Sequence, residues 1–413
     1  MNDFSNGIYY KWVSFWIFVL IFSSISIEGH GGQAAVVLIF SSLYILFNKK
    51  NIKAQKLSQS ESSFILLILL FFLIQFLGII FQPENYKTEG FIKTIKFLDK
   101  PSRWLLLIPI YIILRRVKIS WAHFSIAISI GVFISLGFAI NEVYFLNIER
   151  AKGGSNHSIP FAEIMVWADL LLWILMIYAW DKNKRVLSAF LLFASLLAFY
   201  GSLLSVSRGA WVAYIFMFLI WLIYLFKKNS VSRKSLKLGP IIVRVIFAVI
   251  IFLFVSQTNQ YKVIESHTVK NFENIKTYGI DDSLNGRISL YQDSLISIGN
   301  YPYGVGTGNF HKIPQTKNPK LRHAHNEILN LGVENGIQAI IVFLALIFYC
   351  LIYFYKHLGN KIDIVSMYAS LGLMHLSSFL IFGLSQSTFS HHQTLFIFIF
   401  FLYFFISQIE VNK

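Results

Sequence analysis

Residues 322–355 read RHAHNEILNLGVENGIQAIIVFLALIFYCLIYFY, a polar segment that runs directly into an apolar one. The part from Asn335 to Tyr355 carries no charged side chain. It is long enough to cross the hydrocarbon core of a bilayer as a helix, which needs roughly 20 residues. The part before it contains His323, His325 and Glu327. This junction therefore predicts titratable side chains at a membrane surface, with water on one side.

Apolar runs of similar length recur along the 413-residue chain, in which 56% of residues are hydrophobic and only 14% are charged. That balance excludes an ordinary soluble domain. The sequence predicts an all-α polytopic membrane protein with about twelve transmembrane helices. We place the spans near residues 12–27, 33–47, 63–81, 104–114 with its flanks, 121–145, 161–180, 186–205, 209–226, 240–255, 335–355, 362–384 and 394–409.

The predicted spans divide the chain into three parts. Residues 1–255 hold spans one to nine with short loops, residues 256–334 form one large, mostly helical loop, and residues 335–413 hold spans ten to twelve. No small-residue cleavage site follows the first span, so we interpret it as a retained anchor. The single cysteine, Cys350, lies within a span and excludes an intrachain disulfide.

Lys and Arg accumulate in alternate loops, which predicts their orientation because short cytoplasmic loops of membrane proteins are enriched in these residues. The net charge of +16 thus reflects topology, and we predict no nucleic-acid partner. Both termini are then cytoplasmic, and the 256–334 loop is periplasmic. The basic loops contain Lys49, Lys50, Lys53 and Lys56; Arg115, Arg116 and Lys118; Lys182, Lys184 and Arg185; Lys227, Lys228, Arg233, Lys234 and Lys237; and Lys356 and Lys361.

The large loop contains the glycine-rich run Gly304-Val305-Gly306-Thr307-Gly308. It lacks the Lys-Ser/Thr pair of a nucleotide-binding P-loop, and no ATP is available in the periplasm. We therefore interpret it as a flexible turn.

Two arginines in the predicted outer segments are candidates for binding phosphate. Arg208 sits in a tight polar joint between two spans, where a charged group is costly unless it is paired. Arg287 follows Asn285-Gly286, which we expect to start an amphipathic helix with Ile288, Tyr291, Leu295 and Ile298 at helical spacing. A helix N-terminus favours anions, so Arg287 would lie at a favourable phosphate-binding position. Snorkelling of Arg208 and simple solvation of Arg287 are the competing interpretations.

His325 is the strongest candidate for proton transfer, because an unperturbed histidine titrates near neutral pH. Asn326 or Glu327 would fix its tautomer; a capping role at a helix start is the alternative. The spacing of His323, His325 and Glu327 does not place all three on one helical face, and we predict no metal site.

Together, three motifs resemble those of the O-antigen ligase family, a superfamily of membrane glycosyltransferases that includes O-antigen polymerases and O-linked oligosaccharyltransferases. They are Ser207-Arg208-Gly209-Ala210-Trp211 between two spans, Asn285-Gly286-Arg287, and His323-Ala324-His325-Asn326-Glu327 before a span. The predicted twelve spans and late periplasmic loop extend the resemblance over nearly the whole chain. The segments Asp99–Arg103 and Arg150–Gly154 also look like family features.

The resemblance implies a multi-pass enzyme of the bacterial inner membrane that transfers O-antigen from undecaprenyl diphosphate to a sugar hydroxyl of lipid A-core. It implies that His325 is the general base and that Arg208 and Arg287 hold the diphosphate, in an inverting displacement without metal or other cofactor. Lys100, Arg103, His323, Asn326 and Glu327 are expected to bind substrate. Donor, acceptor and membrane lipids are the expected partners.

Two alternatives remain open from the sequence. An O-antigen polymerase would use the same donor but a second lipid-linked glycan as acceptor. A flippase or transporter would also have about twelve spans, but such proteins show related halves and broken helices that meet at the midplane. We find no such internal symmetry, and polar residues cluster at the predicted outer surface.

The charge pattern makes a direct prediction about topology. In a Cys350→Ala background, Thr316→Cys should react with a membrane-impermeant maleimide in cells with permeabilised outer membranes, because the 256–334 loop is outside. Ser235→Cys should stay unlabelled until the inner membrane is opened. The reverse labelling pattern would show that the predicted orientation is wrong.

Overall fold

A computed structural model of the chain describes residues 8–47, 56–87, 90–214, 282–316 and 321–413, together with isolated helical positions between 242 and 266. Within these ranges the chain is all-helical and has no strand. The principal helices are α1 (Ile8–Ser26), α2 (His30–Phe47), α3 (Gln59–Ile80), α4 (Phe91–Lys96), α5 (Asp99–Leu106), α6 (Ile108–Leu114), α7 (Trp121–Ile140), α8 (Ser158–Asp181), α9 (Arg185–Leu204), α10 (Asp282–Asn300), α11 (Glu327–His357), α12 (Asp363–Ser385) and α13 (His392–Asn412).

Seven helical segments of the described chain are long and apolar enough to cross a membrane. They are α3, α7 with the π-helical turn that follows it, α8, α9, α11, α12 and α13. Each corresponds to one of the twelve predicted spans. Helices α1 and α2 coincide with the first two predictions, whereas the spans predicted at 209–226 and 240–255 lie mostly outside the described residues. The all-α membrane class is supported, and the number twelve stays a prediction.

The fourth predicted span is two short helices and not one continuous helix. The structure divides it into α5 and α6, which meet at Leu107. Pro109 has no backbone N–H to donate to the preceding turn, and this interrupts the helix. The break places the start of α5, with Lys100 and Arg103, beside the loop between α12 and α13.

The bundle packs around α8 and α13, whose residues are almost all buried, including every residue from Phe161 to Met176. The buried carboxylate of Asp169 in α8 is paired inside the bundle. Tyr214 donates to Asp169 at 2.9 Å, and Ser195 contacts the other oxygen of the same carboxylate. Such pairing is expected because lipid and core provide no water to satisfy polar groups.

The loops collect at two ends of the bundle. At one end, which we call the histidine end, lie His157, His323, His325 and His391, and the loops that carry them are tied to one another. Glu28 accepts from Asn156 N–H at 2.9 Å, and Lys100 donates to the Ser390 carbonyl at 2.7 Å. The charge pattern assigned all of these loops to the outer side.

Basic loops collect at the opposite end. Arg115 donates to Glu61 at 2.8 Å, and Lys182 donates to Asp363 at 2.7 Å. Glu61 also accepts from Tyr111 at 2.6 Å and completes a capping box with Ser58. The two groups of loops agree with those that the charge pattern defined. The side of the membrane that each group faces stays a prediction.

The glycine-rich run is not the flexible turn that the sequence predicted. Val305 and Gly306 donate their backbone N–H groups to the carbonyls of Val333 and Glu334, at 2.8 and 2.9 Å. Thr307 bridges the end of α3 and the start of α11, because its hydroxyl lies 2.9 Å from the Gln75 carbonyl and 2.5 Å from the Asn335 side-chain oxygen. The run therefore clamps α11 to α3.

This clamp coincides with a kink in α11 at Gly336, where φ is 79° and ψ is −179°. A Cβ at this position would lie 2.5 Å from the Pro302 carbonyl oxygen, so both the backbone angle and the space require glycine. The kink separates a short outer piece of α11, which carries Glu327, Asn330 and Glu334, from the long apolar piece that follows.

Candidate active site

The start of α11 positions the central histidine. Asn326 is the N-cap, and its side chain accepts from Leu329 N–H at 3.1 Å. His325 immediately precedes the cap and has a φ of 52°, in the left-handed region that is unfavourable for a non-glycine residue. Strained backbone of this kind is concentrated at functional sites. The turn directs the imidazole toward the C-terminal end of α12, where it contacts Gln386.

A glutamine orients two imidazoles at once. His325 Nδ1 lies 2.5 Å from Gln386 Oε1, and Gln386 Nε2 lies 3.2 Å from His391 Nε2. With the amide oxygen as acceptor, His325 carries its proton on Nδ1 and keeps the lone pair of Nε2. The prediction that Asn326 or Glu327 fixes the tautomer is therefore wrong, because Asn326 caps α11 and Glu327 accepts from Phe389 N–H at 2.9 Å.

Arg287 reaches the same site from α10. Tyr291, one turn further along α10, has its hydroxyl 3.1 Å from the His325 carbonyl and 3.3 Å from the Leu384 carbonyl. Burial lowers the pKa of His325 below its usual 6.5, and the nearby positive charge of Arg287 lowers it further, while the Gln386 contact opposes them. His325 is consequently neutral at pH 7.

The position of Arg287 differs in one respect from the sequence prediction. Helix α10 begins at Asp282, so Arg287 lies in its second turn and not at its N-terminus. The free backbone N–H groups belong to the first turn. The helix N-terminus therefore does not form the phosphate seat at Arg287 that the sequence predicted. The predicted apolar face is also wrong in part, because Leu295 is exposed whereas Leu290 and Ser294 are buried.

Arg208 lies at the beginning of the helical segment 208–214 and is exposed. Arg150 supports the joint before it by donating to the Ser205 carbonyl at 3.3 Å and to the Ser207 hydroxyl at 3.1 Å. Gly209 faces the end of α12, since a Cβ there would lie 3.4 Å from Ser385 Oγ. The backbone beside Arg208 thus lies next to Ser385, the residue that precedes Gln386, which His325 contacts.

His323 forms the boundary of this group. Its ring centroid is 4.6 Å from that of His325 and 6.2 Å from that of His391. Burial lowers the pKa of His323 to about 3, with further lowering by the neighbouring His325. Nδ1 of His323 is buried and has no hydrogen-bond partner in the described part of the chain. This neutral imidazole has a polar atom available for a ligand.

Two further predicted site residues, Lys100 and Arg103, contact the loop between α12 and α13. Lys100 donates to Ser390, and Arg103 donates to the His392 carbonyl at 2.8 Å and to Asp99 at 3.2 Å. Burial lowers the pKa of Lys100. These two cations organise the loop between α12 and α13, and neither contacts the ring of His325. The structure therefore places Arg287 near His325, and it ties Lys100, Arg103 and Glu327 to the loop between α12 and α13.

A cavity of about 640 Å³ opens beside Lys100 and Glu327. Its walls include cations, amides and an aromatic ring, and a second, mostly apolar cavity of about 300 Å³ adjoins it through the shared residues Asp99 and His392. Among the described residues, no three His, Cys, Asp or Glu side chains are arranged to hold a metal ion.

Several residues of the site were not predicted from the sequence. Gln386, His157 and Tyr291 come from distant segments, and only the folded chain shows that they meet the His325 loop. Glu163 in α8 had a usable signal, because a carboxylate within a span is a functional hypothesis by default. It is 2% exposed, one of its oxygens has no partner among the described residues, and it lies close enough to Glu327 to interact electrostatically.

Comparison with known proteins agrees with the motifs. A sequence model described as O-antigen ligase matches residues 193–344, a range that contains Arg208, Arg287 and the His323–Glu334 segment. The chain is also 23% identical over 375 residues to a protein from Haemophilus influenzae described as uncharacterized, and the match covers 88% of this chain and 90% of that protein. The family match contains His325, Arg287 and Arg208, and it supports the resemblance of this chain to the O-antigen ligase family.

Proposed function

We propose that the protein transfers O-antigen polysaccharide from undecaprenyl diphosphate to a sugar hydroxyl of lipid A-core at the periplasmic face of the inner membrane. The observation that supports this most directly is that His325, Tyr291 of the Arg287 helix and Gly209, which follows Arg208, all approach the end of α12. A neutral imidazole with Nε2 available stands there near the positive charge of Arg287. We assign the two arginines to the diphosphate.

The chemistry requires one base and one stabiliser of negative charge. His325 Nε2 takes the proton of the acceptor hydroxyl as its oxygen attacks the anomeric carbon, and the bond from that carbon to the diphosphate oxygen breaks. The electron pair leaves with undecaprenyl diphosphate. Arg208 and Arg287 stabilise the developing charge, because planar guanidinium groups bind phosphate oxygens at two points. The single displacement inverts the anomeric centre and uses no cofactor.

The environment of His325 suits a general base. Its lowered pKa keeps the ring unprotonated at neutral pH, and the Nδ1 contact with Gln386 holds the lone pair of Nε2 in a fixed direction. Protonation of His325 Nε2 removes the lone pair that would accept the proton of the acceptor hydroxyl. We therefore expect transfer to be pH-independent above 6.5 and to fall as the pH drops through the lowered pKa.

An O-antigen polymerase would use the same donor and the same base, so only the acceptor distinguishes it from a ligase. Purified protein given lipid-linked donor should glycosylate lipid A-core. Extension of a second lipid-linked glycan without transfer to lipid A-core would identify a polymerase.

His325→Ala should reduce transfer by about 10²- to 10⁴-fold, because loss of a general base typically costs that much. Binding of the lipid-linked donor should persist, since the base acts on the acceptor. His323→Ala should have a milder effect, because only one base is needed. The assay is transfer by purified variants with excess chelator present. Arrest of the wild type by chelator, or near-normal rates for His325→Ala, would contradict the mechanism.

Arg208→Ala and Arg287→Ala should each lower transfer by roughly 10²-fold or more, with normal amounts of protein in the membrane. Lysine should be a poor replacement at both positions, because an ammonium keeps the charge but not the two-point contact. Arg185→Lys, at the opposite end of the bundle, is the matched control and should transfer normally. If both lysine variants ligate at near wild-type rates, the arginines act only as interfacial charges.

Gln386→Glu should move the acidic limb of the pH–rate profile upward by about one pH unit or more, because a carboxylate beside Nδ1 stabilises the imidazolium of His325. Gln386→Ala should lower the rate at every pH, since the ring loses its orientation. Gln315→Glu is the control, because the Gln315 side chain bonds to the backbone of Leu321 and, among the described residues, contacts no histidine. An unchanged profile in Gln386→Glu would show that this contact does not govern the base.

A further inference from the structure

The short joint between α9 and the helical segment that begins at Arg208 contains a strained residue. Val206 has a φ of 53°, in the left-handed region, and a β-branched side chain makes that conformation especially unfavourable. Strained backbone of this kind persists only where the surrounding structure holds it. Val206 lies two residues before Arg208, so its φ sets the direction in which the chain leaves α9 and hence the position of Arg208.

A single guanidinium holds the joint on both sides of Val206. Arg150 donates from Nε to the Ser205 carbonyl at 3.3 Å and from Nη2 to the Ser207 hydroxyl at 3.1 Å. The planar guanidinium presents its donors in a fixed fork, so the two acceptors are kept at a constant separation. Arg150 therefore ties together the two residues between which the backbone is strained.

The loop that carries Arg150, between α7 and α8, is itself anchored. Glu142 accepts from the backbone N–H groups of Lys152 and Gly153 at 2.6 and 2.9 Å. Ala151 donates its N–H to the carbonyl of Leu204, the last residue of α9, at 3.0 Å. Arg150 thus holds the joint from a fixed base.

The joint has little room to move. Ser207 donates its hydroxyl to the Ser158 carbonyl at 3.3 Å, and a Cβ at Gly209 would lie 3.4 Å from Ser385 Oγ. Burial lowers the pKa of Arg150, and the nearby positive charge of Arg208 lowers it further, so the two guanidinium groups lie near each other. A change at Val206 would consequently move Arg208 relative to the end of α12.

Resting on the function proposed above, we propose that Arg150 is a positioning residue for the donor diphosphate. It holds the left-handed turn at Val206 and through that turn places Arg208, and it does not bind phosphate itself. Nε and Nη2 of Arg150 donate to Ser205 and Ser207, which directs the guanidinium into the joint. Arg150 therefore acts only through Arg208.

The first test measures the turn and needs no substrate. Hydrogen exchange of the full-length protein in detergent, followed by mass spectrometry of residues 204–211, reports the backbone N–H groups of Val206 and Ala210, which both donate within this region. Arg150→Ala should speed their exchange about tenfold, because the joint loses two bonds. Ser207→Ala removes one of the two bonds and should act in the same direction less strongly. Lys152→Ala, an exposed cation of the same loop, should exchange like the wild type. Unchanged exchange in Arg150→Ala would overturn the proposal.

The second test asks whether Arg150 acts through Arg208. The probe is farnesyl diphosphate, a short polyprenyl diphosphate, and its binding to the purified protein in detergent is measured by calorimetry. Arg150→Ala should weaken binding about tenfold in the wild type and in an Arg287→Ala background, but should cause no further loss in an Arg208→Ala background. The reason is that a residue that acts only through Arg208 has nothing left to position. A further tenfold loss there would identify Arg150 as a phosphate ligand and would overturn the positioning role.

A third test relieves the strain. Glycine adopts a positive φ without steric cost, so Val206→Gly in the Arg150→Ala background should restore most of the lost affinity. Asn147→Gly is the matched control, because Asn147 has the same φ of 53° in the loop of Arg150, and it should restore nothing. In transfer assays the KM for donor should follow the same pattern while the KM for acceptor stays constant. Absence of recovery in Val206→Gly would show that Arg150 does not offset strain at this turn.

The outcomes separate this proposal from the proposed function. A wild type that transfers glycan, together with an Arg150→Ala variant whose KM for donor is unchanged, would overturn the role of Arg150 and leave the proposed function standing. A wild type that transfers no glycan to lipid A-core would overturn the proposed function. The hydrogen-exchange measurement would then still decide whether Arg150 holds the turn.

Discussion

The clamp at the kink of α11 is the constraint on which the histidine end depends. Backbone bonds from Val305 and Gly306 hold the carbonyls of the outer piece of α11, and Gly336 allows the chain to turn there into the long apolar piece. A helix that ran straight through this point would carry Asn326 and His325 away from the end of α12. In an apolar medium a break of this kind persists only where other groups satisfy the freed backbone, and the glycine-rich run does so.

That arrangement places charge where a bilayer-facing protein ordinarily avoids it. Arg150, Arg208, Arg287 and Lys100 collect at one end, and burial of the neighbouring histidines keeps those rings neutral. A cluster of cations is electrostatically unfavourable without anions. An anionic diphosphate beside Arg208 and Arg287 would offset that repulsion. Substrate binding and charge balance are thus coupled in the proposed reaction.

Three imidazoles are linked to one another near the end of α12. His325 and His323 are in contact, and His391 is linked to His325 through Gln386. Gln386 donates to one ring and accepts from another, and this fixes both tautomers with a single uncharged side chain. A carboxylate there would raise the pKa of His325, so an amide preserves a base that is neutral at pH 7.

The sequence by itself determined the membrane class and the grouping of loops into two ends. It also indicated the resemblance to the O-antigen ligase family and the candidate site residues His325, Arg208 and Arg287. It could do so because span length, loop charge and short motifs are local properties. The sequence did not determine that the glycine-rich run is a clamp, that Arg287 lies one turn inside its helix, or that α5 and α6 are separate. It also did not reveal Gln386, which is 61 residues from His325 and meets it only in the folded chain. Contacts between distant segments depend on how helices pack and where they kink, and these were decided only by the tertiary structure.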